Sequence, residues 1–208
     1  MDKASLEGLE ARAHEIEREL EVLPLAKMAG GVGSVGFETE LVGDPHRAEW
    51  IKVNWGEPVL IDEIILVPLI WGVKKGGVTS DGFPLEFRVL AGSPGNAAGT
   101  VIATFTEKDG HLPRNAPLVI PCRTTASWVR VEATLLSQRA YDGHFNVQFS
   151  ELMVFSGEEN VALKQIVKSS SVGNQEGGRR AKSQLTDGFL PYEMSVLSAK
   201  SSRSFQTE

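Results

Sequence analysis

Trp50-Ile51-Lys52-Val53-Asn54-Trp55-Gly56-Glu57-Pro58-Val59-Leu60-Ile61-Asp62-Glu63-Ile64-Ile65-Leu66-Val67 decides the fold class. Ile51, Val53 and Trp55 alternate with Lys52 and Asn54, the period of a strand with one face on a core and the other in water. Gly56-Glu57-Pro58 is a turn signal. Leu60 to Val67 is then a β-branched, nearly continuous apolar run, suited to a strand covered on both faces. The period of two continues as far as Phe155. Leu85, Phe87, Val89 and Ala91 alternate with Glu86 and Arg88, and further strands are expected at 100–105, 117–121, 128–134 and 146–155. Between them lie Gly76-Gly77, Asp81-Gly82, Gly92-Ser93-Pro94-Gly95-Asn96, Asp109-Gly110 and Asp142-Gly143. Short strands with this punctuation, and no helical pattern among them, predict an all-β, antiparallel jelly-roll sandwich. Trp50 and Trp128, both in strands, are expected in its core.

The flanks read differently. Over residues 2–23 apolar positions fall at Leu6, Leu9, Ala13, Ile16, Leu20 and Leu23, the seam of a heptad helix that Pro24 ends. With Arg12 at g and Glu17 at the following e, a parallel partner would gain attractive pairs, so residues 6–23 could form a homodimer. The same stripe could instead pack on the chain's own sandwich or continue an upstream coil. Residues 29–36 are a glycine-rich hinge or entry loop without the lysine of a phosphate-binding loop. Residues 1–28 are thus read as the helix and 29–157 as the sandwich. Residues 158–208, rich in Ser, Lys, Gln and Gly, have little core of their own, with a strand-like Asn160-Val161-Ala162-Leu163.

Trp50 to Pro58 followed by Ile61-Asp62-Glu63-Ile64 resembles the discoidin family, the coagulation-factor type C domain within the galactose-binding-like sandwiches. Phe87-Arg88-Val89, Trp128-Val129-Arg130-Val131 and Ser150-Glu151-Leu152-Met153-Val154-Phe155 resemble its later strands, in the expected order. Asn54-Trp55 departs from the family's usual Asp-Leu. The family's opening stretch is not found before Trp50. It resembles instead Asn160-Val161-Ala162-Leu163 through Ser169-Ser170-Ser171, followed by Leu185-Thr186-Asp187-Gly188. The simplest account is truncation, with a second discoidin-like domain beginning at 160. The alternative is that 160–208 completes the first sandwich, in cis or by exchange.

The resemblance implies ligand sites on loops at one end of the sandwich. One loop, 68–84, carries Trp71, Lys74, Lys75, Asp81 and Phe83. The other, 136–146, carries Arg139, Tyr141, Asp142, His144 and Asn146. A flat aromatic beside polar forks suits stacking on a sugar face while hydrogen-bonding its hydroxyls. Alternatively, Trp71 and Phe83 pack under their own loop. Glu151 shares the parity of Val147, Phe149, Met153 and Phe155, so it is expected toward the core or its rim, where a carboxylate needs a cation or strong donors. An arginine such as Arg130 or Arg88 would serve. By resemblance, a structural calcium ion held by Glu151 and Asp187 would also serve.

Composition narrows the function classes. A net charge of -6 argues against nucleic acid as a partner, and no apolar run approaches the roughly 20 residues of a membrane-spanning helix. Residues 1–25 do not read as a signal peptide; if the protein is exported, its signal lies outside this chain. The single Cys122 cannot make an internal disulfide or a thiolate metal site. His14, His46, His111 and His144 share no metal or triad spacing. Asp142, His144 and Glu151 can be drawn as an acid–base set, but a turn aspartate, a loop histidine and a strand glutamate explain them with less. The expectation is a non-catalytic binding module of a larger extracytoplasmic protein, with carbohydrate or a cell-surface glycan as ligand. The alternative is a structural module for protein–protein contact or dimerisation through the heptad helix.

Overall fold

The alternation along residues 50–55 becomes one edge of a long ladder. In the computed structural model, residues 36–72, 78–80, 82–109, 117–139, 142–173 and 185–186 are described. In chain order the strands are β1 (Phe37–Glu38), β2 (Glu49–Pro68), β3 (Ile70–Gly72), β4 (Val78–Ser80), β5 (Glu86–Gly92), β6 (Thr100–Phe105), β7 (Leu118–Leu135), β8 (Ser137–Gln138), β9 (Phe145–Asn146), β10 (Gln148–Ser156), β11 (Glu159–Asn160) and β12 (Ile166–Ser169). Every pairing among them is antiparallel. The heptad helix expected over residues 1–28 lies outside the described residues.

β2 and β7, of 20 and 18 residues, pair from Glu49↔Ala133 to Leu66↔Leu118. Their register slips between Asn54 and Val59. Gly56 takes a φ of 93° there, a conformation glycine adopts at no steric cost, and Pro58 has no N–H to offer the ladder. The turn expected at Gly56-Glu57-Pro58 is therefore a bulge: the strand bends and continues. Across the bend Trp55 Nε1 donates to the Ala126 carbonyl at 3.1 Å. The separate strands expected at 117–121 and 128–134 are likewise one, because residues between them pair with Val59–Ile61.

Across the bend β2 keeps β7 on one edge and changes its neighbour on the other. On one side of it the order is β12, β2, β7, β5, β6; on the other, β10 pairs with β2 and carries β1 and β11. Ile51, Val53, Val89, Val129 and Val131 from the first layer join Ile61, Ile64, Leu66, Ile120, Leu152 and Val154 from the second in one buried cluster. Each such side chain stabilises the fold by about 1.5–3 kcal/mol relative to exposure. Phe83 ties the layers together, with its ring 5.7 Å from Phe87 and 5.3 Å from Phe149, both edge-to-face. This is an antiparallel β-sandwich.

Four expectations change on this frame. Leu60 is 50% exposed, so the run after Pro58 is not covered on both faces throughout. Trp128 is buried but stands outside the core cluster, with the parity of Arg130 and Glu132; Trp50 is half-buried on that same outer side. Residues 161–164 are a turn, not a strand, because the Asn160 side-chain carbonyl accepts from the Val154 and Ala162 amides at 3.2 Å each and caps the chain reversal. Glu151 is fully buried, as expected, but the parity reading fails beyond it: the register slips between Phe149 and Glu151, and Leu152 and Val154, not Met153, join the core cluster.

The described part of the C-terminal segment packs on these strands. β12 pairs with Ile51–Asn54 along the edge of β2 that β7 leaves free. Ala162 and Leu185 are buried in the common core. The Gly173 amide donates to the Glu38 carbonyl at 2.9 Å. Glu49 is the anchor: its buried carboxylate accepts from the Ser170 hydroxyl and from the Ser171 hydroxyl at 2.8 Å, and it forms an ion pair with Arg47 Nε at 3.1 Å. Hydrogen bonds to a charged group are worth about 1.5–3 kcal/mol each. Glu49→Gln is therefore expected to lower stability in urea denaturation by about 2–3 kcal/mol, and hydrogen exchange should accelerate at residues 166–170 before it does in β7.

Candidate functional site

The end of the sandwich away from the β2 bend is built by chain reversals that close on one another. β3 and β4 form a hairpin directly after β2, with Trp71↔Thr79. β8 and β9 form a second hairpin directly after β7, with Gln138↔Phe145. The Gln148 amide donates to the Gly82 carbonyl at 2.8 Å, the Leu85 amide to Leu135 at 2.9 Å and the Leu136 amide to Pro45 at 2.8 Å. Thus the two loops singled out in the sequence, 68–84 and 136–146, meet at one end of the fold, with residues 39–45 beside them. Gly82 is required at the junction: its φ is 76°, and a Cβ there would lie 2.5 Å from the Gln148 side chain.

The β8–β9 hairpin is held by its own polar groups. The Asp142 carboxylate accepts from the His144 amide at 3.1 Å, an aspartate turn. It lies 3.4 Å from Arg139 Nη2 and 3.6 Å from His144 Nδ1. The Arg139 guanidinium is buried, while His144 is half in solvent at 52% exposure. The Gln138 side-chain amide donates to the Gly143 carbonyl at 3.0 Å. These bonds fix Asp142 and present His144 at the rim, while Arg139 serves the loop from beneath.

Below the hairpins is a buried polar floor. Asn146 and Gln148 are 0% and 1% exposed. Gln148 Nε2 donates to Asn146 Oδ1 at 3.1 Å, and the Asn146 Nδ2 and Gln148 Oε1 atoms are buried without a hydrogen-bond partner. Exchanging N and O in both amides reverses that bond but leaves one donor and one acceptor open either way. Such a pair is matched by one bridging water or one ligand hydroxyl. Thr39 completes the floor, its hydroxyl accepting from the Val147 amide at 2.9 Å. Neither Gln148 nor Thr39 stood out in the sequence; strand parity next to Asn146 was the only signal for Gln148, and Thr39 had none.

The remaining candidates divide. Phe83 is 5% exposed between Phe87 and Phe149, so it packs under its loop and is not a ligand platform. Asn146 lies too deep to be a surface fork. Trp71 lies in β3, on the first hairpin; Lys74, Asp81, Tyr141 and Asp187 lie outside the described residues. Arg130 and Arg88 do not serve Glu151, for both close on Glu132 at 2.6 Å. Glu151 stands in β10 opposite Val67, away from the Asp142–His144 hairpin. Among the described residues no three His, Cys, Asp or Glu side chains gather as a metal-ligand set, and no helix is long and apolar enough to cross a membrane.

No family model matches the chain, and no curated protein matches it. Among solved structures it is similar to chitosan-binding module 1 of a chitosanase/glucanase from Paenibacillus sp. IK-5, at 17% identity and a TM-score of 0.39, over 56% of this chain and 74% of the module. A selenomethionine-labelled point mutant of that module is similar at 15% identity and a TM-score of 0.38, with the same coverage.

Two outcomes follow from the placement of Phe83 and Cys122. Phe83→Ala should cost about 3–5 kcal/mol in denaturant unfolding, far more than removal of an exposed sugar platform would. The Cys122 thiol is pushed above its ordinary pKa by burial, with the Asp62 and Glu63 carboxylates adding to the effect. The thiolate is the reactive form, so alkylation of the native protein at neutral pH should be slower than that of a free cysteine and should reach the free rate on unfolding.

Proposed function

We propose that this chain is a non-catalytic binding module of a larger extracytoplasmic protein, taking a carbohydrate or cell-surface glycan on the hairpin end of the sandwich. The observation that supports the reading is the approach of Gly82, in loop 68–84, to Asn146, in loop 136–146, and to Gln148, through the Gln148–Gly82 backbone bond and the Asn146–Gln148 amide pair. A binding face gains affinity when its parts are ordered before the ligand arrives. The Arg139–Asp142–His144 arrangement supplies that order on one hairpin. Trp71 of β3 is the aromatic platform of this reading, with Lys74, Asp81, Tyr141 and the His144 imidazole as polar contacts.

A second reading, a module for protein–protein contact, has an observation of its own. Val119, Ile65 and Met153 stand directly opposite one another across β7, β2 and β10, and Val119 is 48% exposed. This apolar row lies on the outer side of the second layer, away from the hairpin end.

The deciding measurement is a thermal melt of the whole chain against a panel of soluble neutral glycans, with and without calcium. A ligand that binds only the folded state raises the midpoint by mass action, by about 2.7 kcal/mol at a hundredfold excess over Kd. We expect one sugar class to raise it and Trp71→Ala to abolish the rise with little change in the unliganded midpoint. No rise with any glycan would shift the function to protein contact. A rise with calcium that a chelator reverses would assign an ion to Glu151 and Asp187.

A further inference from the structure

The outer face of the first layer carries a row of like charges that the fold does not need. Lys168 of β12 stands directly opposite Lys52 of β2, and Lys52 directly opposite Arg130 of β7. Like charges paired across antiparallel strands are destabilising. One carboxylate answers them in part: Glu132 contacts Arg130 Nη2 and Arg88 Nε, each at 2.6 Å. Among the described residues neither lysine is in an ion pair. The surplus stands on a chain whose net charge is -6.

The row is also held in place. Lys52 Nζ sits 3.7 Å from the centre of the Trp128 ring, and Arg130 Cζ lies 5.6 Å from it. Such cation–ring contacts position an ammonium while leaving its charge unneutralised. Trp128 is itself wedged, for a Cβ at Gly92 or Gly99 would fall 2.3 Å or 2.5 Å from the ring. Arg130 Nη2 donates to the Ala98 carbonyl at 3.4 Å, while Arg130 Nε is buried without a hydrogen-bond partner. Burial lowers the Lys52 pKa, and the charges of Arg130 and Lys168 lower it further. A bound anion would relieve both charge effects.

We propose that this face is a second binding surface, for an acidic polysaccharide whose sulfate or carboxylate groups lie across Lys168, Lys52 and Arg130. Adjacent strands are about 4.8 Å apart, so the row spans roughly 10 Å. A polymer with repeated charges engages all of it, whereas a single small anion meets two cations at most. Nucleic acid fits less well, since single strands bind through aromatic platforms and the Trp128 ring is 4% exposed and covered by Lys52. The inference rests on the glycan-binding reading and adds to it a ligand class and a surface distinct from the hairpin end.

The test compares dextran sulfate with unmodified dextran by calorimetry at low salt, using the whole chain and its Lys52→Gln/Lys168→Gln variant. Dextran sulfate should bind and dextran should not. Affinity should fall steeply with added salt, and the variant should bind about tenfold more weakly or worse, having lost two of the three contacts. With like charges removed, the variant's melting midpoint should hold or rise. Lys168→Gln alone, at an exposed position of the edge strand, should weaken binding in the same direction without risk to folding. A neutral glycan recognised at the hairpin end should bind the variant as it binds the parent, so loss of that activity and loss of this one are separate results. Equal affinity of parent and variant, or equal binding of dextran and dextran sulfate, overturns the proposal. Displacement of dextran sulfate by single-stranded DNA of equal affinity reassigns the surface to nucleic acid.

Discussion

The pairing of β2 with β7 through the bulge at Trp55–Pro58 is the constraint on which the rest of the structure depends. A flat ladder of that length would expose one apolar face along its whole extent. Because the register slips at Gly56, the two strands bend together and each half acquires its own neighbours. The core then forms between halves of the same two strands, with Ile51 and Val53 in one layer and Ile61 and Ile64 in the other. The other strands of the main sheet attach to this pair: β5 and β6 to one half, β10 with β1 and β11 to the other, and β12 to the edge of β2 beside the first half.

The same bend determines where polar chemistry collects. It brings the end of β2 and the end of β7 to one pole of the molecule, although antiparallel partners of this length would normally hold those ends far apart. Thr39, Asn146 and Gln148 are gathered there, and the two buried amides answer each other in part while keeping one donor and one acceptor open. The core face of the first layer is apolar and its outer face is not. That outer face spends stability on opposed cations while Trp128, an apolar anchor, is hidden beneath them.

The buried Glu49 shows how a segment with little core of its own becomes part of the fold. Residues 166–173 contribute few large apolar side chains, and Ile166 is 65% exposed. They are held instead by the β2 edge and by the hydroxyls of Ser170 and Ser171 on a carboxylate that Arg47 also contacts. That is a charge-assisted network, strong where it is dry. Composition alone marks such a segment as a linker or a fragment, because its stabilising partner lies more than a hundred residues away.

By itself, the sequence determined the all-β character and most strand positions, because period-two alternation and turn residues are local signals. Residues 86–92, 100–105 and 148–156 are strands close to where alternation puts them. Tertiary structure alone decided that Gly56-Glu57-Pro58 is a bulge and not a turn, since only the pairing with β7 continues the strand through it. It also decided that Phe83 packs between Phe87 and Phe149, that Leu152 and Val154 take the core after a register slip, and that residues 166–169 pair with β2. The cation row of Lys168, Lys52 and Arg130 belongs to the same class: three residues remote in sequence become neighbours only through register. Parity along one strand can say which face a side chain takes, but register between strands, which bulges shift and distant edges complete, says what it meets there.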